Sequence, residues 1–240
     1  YLEVCDMYPL DFKEFARAAG VKNDVILMLE EHFKSRSPVD EFIHSKMLDL
    51  FYLYLIVGGM PEAVAVYVET NDLAKVAKVH EKIIRLYKAD FSKYETNYKL
   101  KLQEIYDAMP GQLDQKNKRF QLNIIEKGVS YDRLKNDFLW LKDAGVAIPV
   151  YNVSEPKIPL VISENRNLFK LFFSDVGLLT SCYSNAVKIA ILNKEKSINN
   201  GALFENVVAQ ELLAKGHKEY YFNSKQQGEL DFVIELDGKA

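Results

Sequence analysis

The sequence predicts a mixed α+β fold, rich in helix, and three observations carry that prediction. Apolar residues recur at three- and four-residue intervals through most of the chain up to Gly145 and again after Gly201. The runs Glu219 to Asn223 and Glu229 to Leu236 are rich in the aromatic and branched residues that suit a pleated surface. Asp237-Gly238 is a dipeptide that a two-residue hairpin turn prefers, because both central positions need a positive φ. With 48% apolar and 27% charged residues, the composition is globular rather than disordered, and 240 residues suffice for one large domain or two to three small ones.

Tyr1 to Met7 reads as a strand. Asp11 can then cap a short helix, with Glu14 three residues on reaching back to the capping amide; Phe12 and Phe15 pack it and Gly20 stops it. Helices from about Asn23 to Lys34 and Val39 to Ile56 follow, the latter apolar at Leu48, Tyr52 and Leu55. In Val57-Gly58-Gly59-Met60-Pro61 the glycines let backbone approach a neighbour closely, and Pro61 opens the next helix where no amide donor is needed. Local chemistry alone makes this equally a helix-to-helix corner. The longest helix runs from Asp72 to about Tyr94, capped by Asn71 or Asp72 and apolar at Val76, Val79, Ile83 and Leu86.

Residues 97–163 read as a winged-helix module. Its first helix carries Leu102, Ile105, Tyr106 and Met109 and ends at Pro110-Gly111; a short element spans Gln121 to Lys127; a helix with Leu134, Phe138 and Leu141 ends at Gly145; Val146 to Val153 and Ile158 to Ile162 form the wing strands. Asn167 to Leu179 is a strand leading into a helix that Ser174 or Asp175 can cap, and Asn185 to Asn200 is a polar linker. From Gly201 a helix carries Glu205, with Phe204, Val207, Val208 and Leu212 as its buried face and Gly216 closing it in a left-handed cap. In the final run Leu230, Phe232, Ile234 and Leu236 alternate with Glu229, Asp231, Val233 and Glu235, which makes one face apolar and the other mostly acidic.

The formal charge of -3 gives no overall pull toward nucleic acid. Between Lys116 and Lys142, however, seven basic residues face three acids, and this is the stretch suited to phosphates. Arg133 and Lys135 lie on or near the helix that would enter a major groove, with Lys116, Lys118 and Arg119 in the approach. The same module can instead pack against other domains. Glu205 and Asp231 are the candidate acids; a helix glutamate at the edge of an apolar face and a strand aspartate on a polar one are also ordinary surface residues.

A helix glutamate, then a strand aspartate, then a hairpin resembles the core of the PD-(D/E)-x-K nuclease-like superfamily. The resemblance implies that Glu205 and Asp231 are catalytic carboxylates and ligands of a divalent metal that activates water. That family's Glu-x-Lys on the returning strand does not occur here, because the sequence stops at Ala240. The order Tyr8-Pro-Leu-Asp-Phe-Lys-Glu-Phe15, then helices, then Gly58-Gly-Met-Pro-Glu-Ala-Val64 resembles the far end of the ATPase module of a prokaryotic AAA-superfamily group, relatives of archaeal-type ATPases; residues 84–94 look similar to the same family, whose C-terminal portion carries a domain of unknown function. The resemblance implies a helical lid with Gly58, Gly59 and Pro61 near a bound nucleotide, ATP and Mg in the full-length parent, and a missing N-terminal ATPase core as partner. It leaves DNA and a homo-oligomer open as further partners. No Gly-x-x-x-x-Gly-Lys-Ser/Thr is present, so this chain alone is expected to hydrolyse no ATP and to hold no cofactor tightly.

The expected organisation is the end of an ATPase module and lid over 1–96, a winged-helix-like domain over 97–180, and a truncated nuclease-like α/β domain over 181–240. Tyr1 opens the chain inside a predicted strand, so the sequence reads as a fragment. No run reaches the roughly 18 apolar residues of a membrane span, and Cys5 and Cys182 stand alone, which points to a reduced, cytoplasmic setting without membrane partners. His32, His44, His80 and His217 have no ligand spacing. A non-enzymatic interaction module that keeps a nuclease-like shape is the second reading.

Overall fold

The computed structural model of the chain describes residues 6–91 and 96–240, with backbone alone for 96–99. In chain order the helices are α1 (Phe12–Ala18), α2 (Asn23–Ser35), α3 (Glu41–Val57), α4 (Pro61–Thr70), α5 (Leu73–Phe91), α6 (Thr96–Leu113), α7 (Tyr131–Asp143), α8 (Val176–Ser181), α9 (Asn185–Leu192) and α10 (Gly201–Ala214). The strands are β1 (Ala147–Val153), β2 (Glu164–Phe173), β3 (Tyr220–Ser224) and β4 (Gly228–Val233). The fold is therefore mixed α+β and helix-rich, with one four-stranded sheet among the described residues. None of the described helices is long and apolar enough to cross a membrane. The strand expected over Tyr1 to Met7, and the last turn of the long helix up to Tyr94, fall largely outside the described residues.

The chain divides into two compact units, one running to Lys82 and resuming over Asp175–Asn200, the other Ile83–Ser174 with Gly201–Ala240. In the first, the capping box of α1 is complete: the Glu14 amide donates to Asp11 at 2.7 Å and the Asp11 amide to Glu14 at 3.0 Å. Asp72 accepts from the amides of Ala74 and Lys75 at the start of α5. The segment 185–200 is not all linker. Its first half is α9, capped by Ser184 and burying Ala190 and Ile191, apolar residues that a reading weighted to the basic clusters overlooked.

The second unit is built on the sheet, ordered β2-β1-β3-β4, with β1 antiparallel to β2 and parallel to β3, and β3 antiparallel to β4. Alternation along β2 sends Phe169, Leu171 and Phe173 to one face and Lys170 and Phe172 to the other. The first face meets α6 and α7: Phe169 lies 4.8 Å from Phe138 and Phe173 lies 5.3 Å from Tyr106, ring centre to ring centre. The second receives α10.

Three sequence expectations fail here for identifiable reasons. No strand forms over Ile158 to Ile162; Leu160–Ser163 is a 3-10 turn, because Pro159 offers no amide, the Leu160 amide is taken by the Glu235 carboxylate, and Leu160 is buried while Val161 and Ile162 are exposed. α6 does not end at Pro110-Gly111 but runs to Leu113, since one missing amide donor near the end of a helix breaks a single ladder bond. The buried face of α10 consists of Ala202, Leu203, Asn206, Val207, Ala209 and Gln210, while Phe204 and Val208 are exposed. Asn206 sets that rotation: its side chain accepts from the Phe173 amide at 2.8 Å and donates to the Phe173 carbonyl at 3.0 Å, clamping the helix to the edge of β2. Gly216 closes α10 as expected, with φ +77° and the paired bonds His217 N–H to Leu212 O and Gly216 N–H to Leu213 O.

Candidate functional site: a lysine among carboxylates

The alternation expected along β4 is broken by a bulge. Tyr220 pairs with Val233 and Phe222 with Leu230, so Asp231 and Phe232 together oppose Tyr221. One residue of slip changes the face of everything beyond it. Val233 joins the core of Val153, Leu160, Tyr220 and Phe222, while Leu230 is half exposed. The bulge also aims both opposing side chains at the α10 side of the sheet. Phe232 packs 5.7 Å from Phe172, and Asp231 reaches Lys170.

Lys170 is the centre of the arrangement. Its Nζ lies 2.9 Å from Asp231 Oδ1, 3.1 Å from Glu205 Oε2 and 3.7 Å from Glu229 Oε1, and 5.3 Å from the centre of the Tyr221 ring. The lysine side chain is 1% exposed, against 54% for Asp231. Burial works against its charge, but the hydrogen-bonded Asp231 and Glu205 outweigh burial and hold the ammonium pKa above the ordinary lysine value. Lys118 meets the other Glu205 oxygen at 2.8 Å, so that carboxylate is held by two ammonium groups. The segment bearing Lys118 lies along the free edge of β2, where the Phe120 amide donates to Phe169 O and Arg119 pairs with Lys170 through the backbone.

The structure thus brings Glu205, Asp231 and Lys118 together around Lys170, with Arg119 paired to the Lys170 backbone, although the sequence presents them as two separate sites. Lys116 is exposed. Arg133 on α7 pairs instead with Glu126 at 3.1 Å, and Lys135 is half-buried on the same helix. Lys170, Tyr221, Asn206 and Glu229 were missed. The one available signal was a lone lysine inside the apolar run Leu168-Phe-Lys-Leu-Phe-Phe173.

As arranged, these donors do not suit the divalent metal that the nuclease-like resemblance implies. The position shared by the acid pair is filled by an ammonium group, and the described residues contain no group of three or more His, Cys, Asp or Glu able to hold a metal.

In the other unit, Gly58 and Gly59 form a buried corner. The Gly59 amide donates to Asp175 Oδ2 at 2.6 Å, and a Cβ on Gly59 would stand 2.0 Å from Leu10 O. Gly58 has φ +70°, and its Cβ would meet the Asp175 carboxylate at 2.2 Å. Asp175, capping α8, is fully buried; burial pushes its pKa up to about 6 against the amides of Gly59, Leu178, Gly177 and Met60. The corner's carbonyls are used as well, Leu55 O by Thr180 and Val57 O by His80. Pro61 occupies the first position of α4 and is exposed. The close approach for which these glycines are needed is thus made by Leu10 and Asp175 of the same unit.

Fold and site together define a helix-rich α+β protein whose sheet encloses a lysine shared by carboxylates. The chain belongs to the family of the domain of unknown function DUF8612, which matches residues 48–188, more than half of its length. A second domain of unknown function, DUF4143, matches residues 200–240, the part that carries α10, β3 and β4. No curated protein and no solved structure matches the chain.

Proposed function

We propose that the chain serves as the C-terminal portion of an AAA-superfamily ATPase and contacts DNA through its nuclease-like unit. DUF4143 is commonly found C-terminal to archaeal ATPase-like proteins, which supports the first half of this reading. ATP and Mg then belong to a nucleotide-binding core carried elsewhere in the parent protein, and the Gly58-Gly59 corner shapes the lid by internal contacts.

The observation that carries the second half is the convergence of the basic segment with the acid pair. Lys118 touches Glu205, and Arg119 beside it pairs with Lys170 through the backbone, with the exposed Lys116 two residues before Lys118 in the chain. Cations that can meet phosphates beside a polar strand end are what a surface tracking a nucleic-acid backbone requires. The reading assigns binding to this surface and no bond cleavage.

Fluorescence anisotropy with a labelled duplex and a labelled single strand, titrated over a range of salt, tests it. The wild-type chain is expected to bind with a negative salt slope, and Lys116→Glu combined with Lys118→Gln and Arg119→Glu to weaken binding at least tenfold and flatten the slope by about one per lost phosphate contact. Equal binding by the triple variant at low salt, or no binding by the wild type, would remove DNA from the account and leave a protein-interaction module.

A further inference from the structure

We infer that Lys170 is the resident cation of the Glu205–Asp231 centre: its ammonium group stands where a divalent metal would have to sit, and the pair is held without one. The inference concerns this centre alone and does not depend on DNA contact.

Three features support it. The first is position, since the ammonium contacts both acids, with N–O distances of 2.9 and 3.1 Å, and has Glu229 at 3.7 Å as a third negative neighbour. The second is immobility. Lys170 lies near the middle of β2 with its side chain 1% exposed, between the α10 side of the sheet and the Tyr221 ring, so it is not a surface side chain free to swing into water. The third is charge. Lys170 and Lys118 already face the three carboxylates, which leaves a single net negative charge, half of what a dication brings. A divalent ion entering beside Lys170 would lie against an ammonium group and would find the acids turned toward that group rather than arranged as a shell of about six oxygens. The arrangement is also built for the lysine, because pairing along β3 sets Asp231 with Glu229 and Tyr221 on the face that Lys170 occupies, and the Asn206 clamp fixes α10 so that Glu205 reaches it.

The consequence is that removing the lysine should create a metal site. Mn2+ uptake, read as loss of the free-ion signal in electron paramagnetic resonance, and thermal unfolding with and without Mn2+ are the two measurements. The wild type is expected to take up no ion at this centre and to show no Mn2+-dependent shift in melting. Lys170→Met, which keeps an unbranched side chain one atom shorter and removes the charge, is expected to gain one ion per chain and a melting temperature raised by Mn2+, and both gains should vanish when Glu205→Gln or Asp231→Asn is added. Wild-type uptake that Glu205→Gln or Asp231→Asn abolishes would overturn the inference, as would a folded Lys170→Met chain that binds nothing. Should Lys170→Met and the milder Lys170→Gln both fail to fold, the comparison of wild type with the two acid variants still decides. Wild-type uptake lost in those variants refutes the resident lysine, and absence of uptake upholds it. Neither outcome alters the result of the DNA titration.

Discussion

Glu219 provides the sharpest energetic test of the second unit. It precedes β3, is 5% exposed, and among the described residues neither of its carboxylate oxygens has a hydrogen-bond partner. Burial alone pushes its pKa up from 4.5 to about 9. A carboxyl whose pKa is raised by folding favours the folded state below its unfolded value of 4.5 and withdraws that favour as pH rises toward 9. At pH 7 the folded protein therefore retains a proton that the unfolded chain has released. At about 1.4 kcal/mol per pH unit, the gap between 4.5 and 7 corresponds to roughly 3 kcal/mol of lost stability. Glu219→Met removes the ionisable group and keeps the volume, so it should stabilise this unit by a margin that grows by roughly 3 kcal/mol between pH 5.5 and 7.5. Urea unfolding at the two pH values, followed through Trp140, the only tryptophan in the chain and a residue of the same unit, measures it. An equal effect of the substitution at both pH values would sink the reasoning, and a loss of stability at pH 7.5 would show that the carboxylate has a partner in solution.

Two further outcomes follow from the same physical logic. Asn206→Ala leaves the Phe173 amide and carbonyl without their bonds at 2.8 and 3.0 Å, and should lower the urea midpoint by an amount equivalent to about 2–4 kcal/mol, with an Asn206→Asp chain falling between it and wild type because it can still accept from the amide. His80, buried and bonded to Val57 O at 3.0 Å, has its pKa pushed down to about 4 by burial, so the folded state prefers the neutral ring and loses stability as pH falls from 6.5 toward 4; against His80→Gln, hydrogen exchange of the α3 amides should show the wild type losing roughly 3 kcal/mol across that range, and parallel curves would refute it.

The contrast between Glu219 and Lys170 explains what the sequence could reveal. Local signals were readable, because each depends on residues within one turn of each other: Asp11 with Glu14, Pro61 at a helix start, Gly216 at a helix end, and Asp237-Gly238, whose φ values of 49° and 71° close the turn from Leu236 to Lys239. The acid pair was found through a resemblance in order and spacing. Its cation was not, since Lys170 lies 35 residues before Glu205 and 61 before Asp231, and nothing local to a strand says which distant acids its lysine will meet. The rotation of α10 was hidden for a related reason. Apolar periodicity placed Phe204 and Val208 inward, whereas the hydrogen bonds of one asparagine to an edge strand, which no hydrophobicity pattern registers, turned them outward.

A single slip in β4 links these failures. Strict alternation would put Asp231 and Phe232 on opposite faces, with Phe232 beside Leu230 and Val233 among the acids. The bulge opposite Tyr221 gives both residues to the face where α10 arrives. Phe232 extends the apolar contact through Phe172, and Asp231 meets the one charge that β2 places in that layer. A buried ammonium is tolerable only where paired acids reach it, whereas Asp231, half exposed, is hydrated from outside. The strand register and the Asn206 clamp therefore bring Asp231 and Glu205 to the lysine. Deleting Phe232 would restore regular alternation, leave Asp231 opposite Tyr221 and remove the Phe172 contact, and should destabilise this unit more than loss of any one exposed ion pair such as Arg133–Glu126.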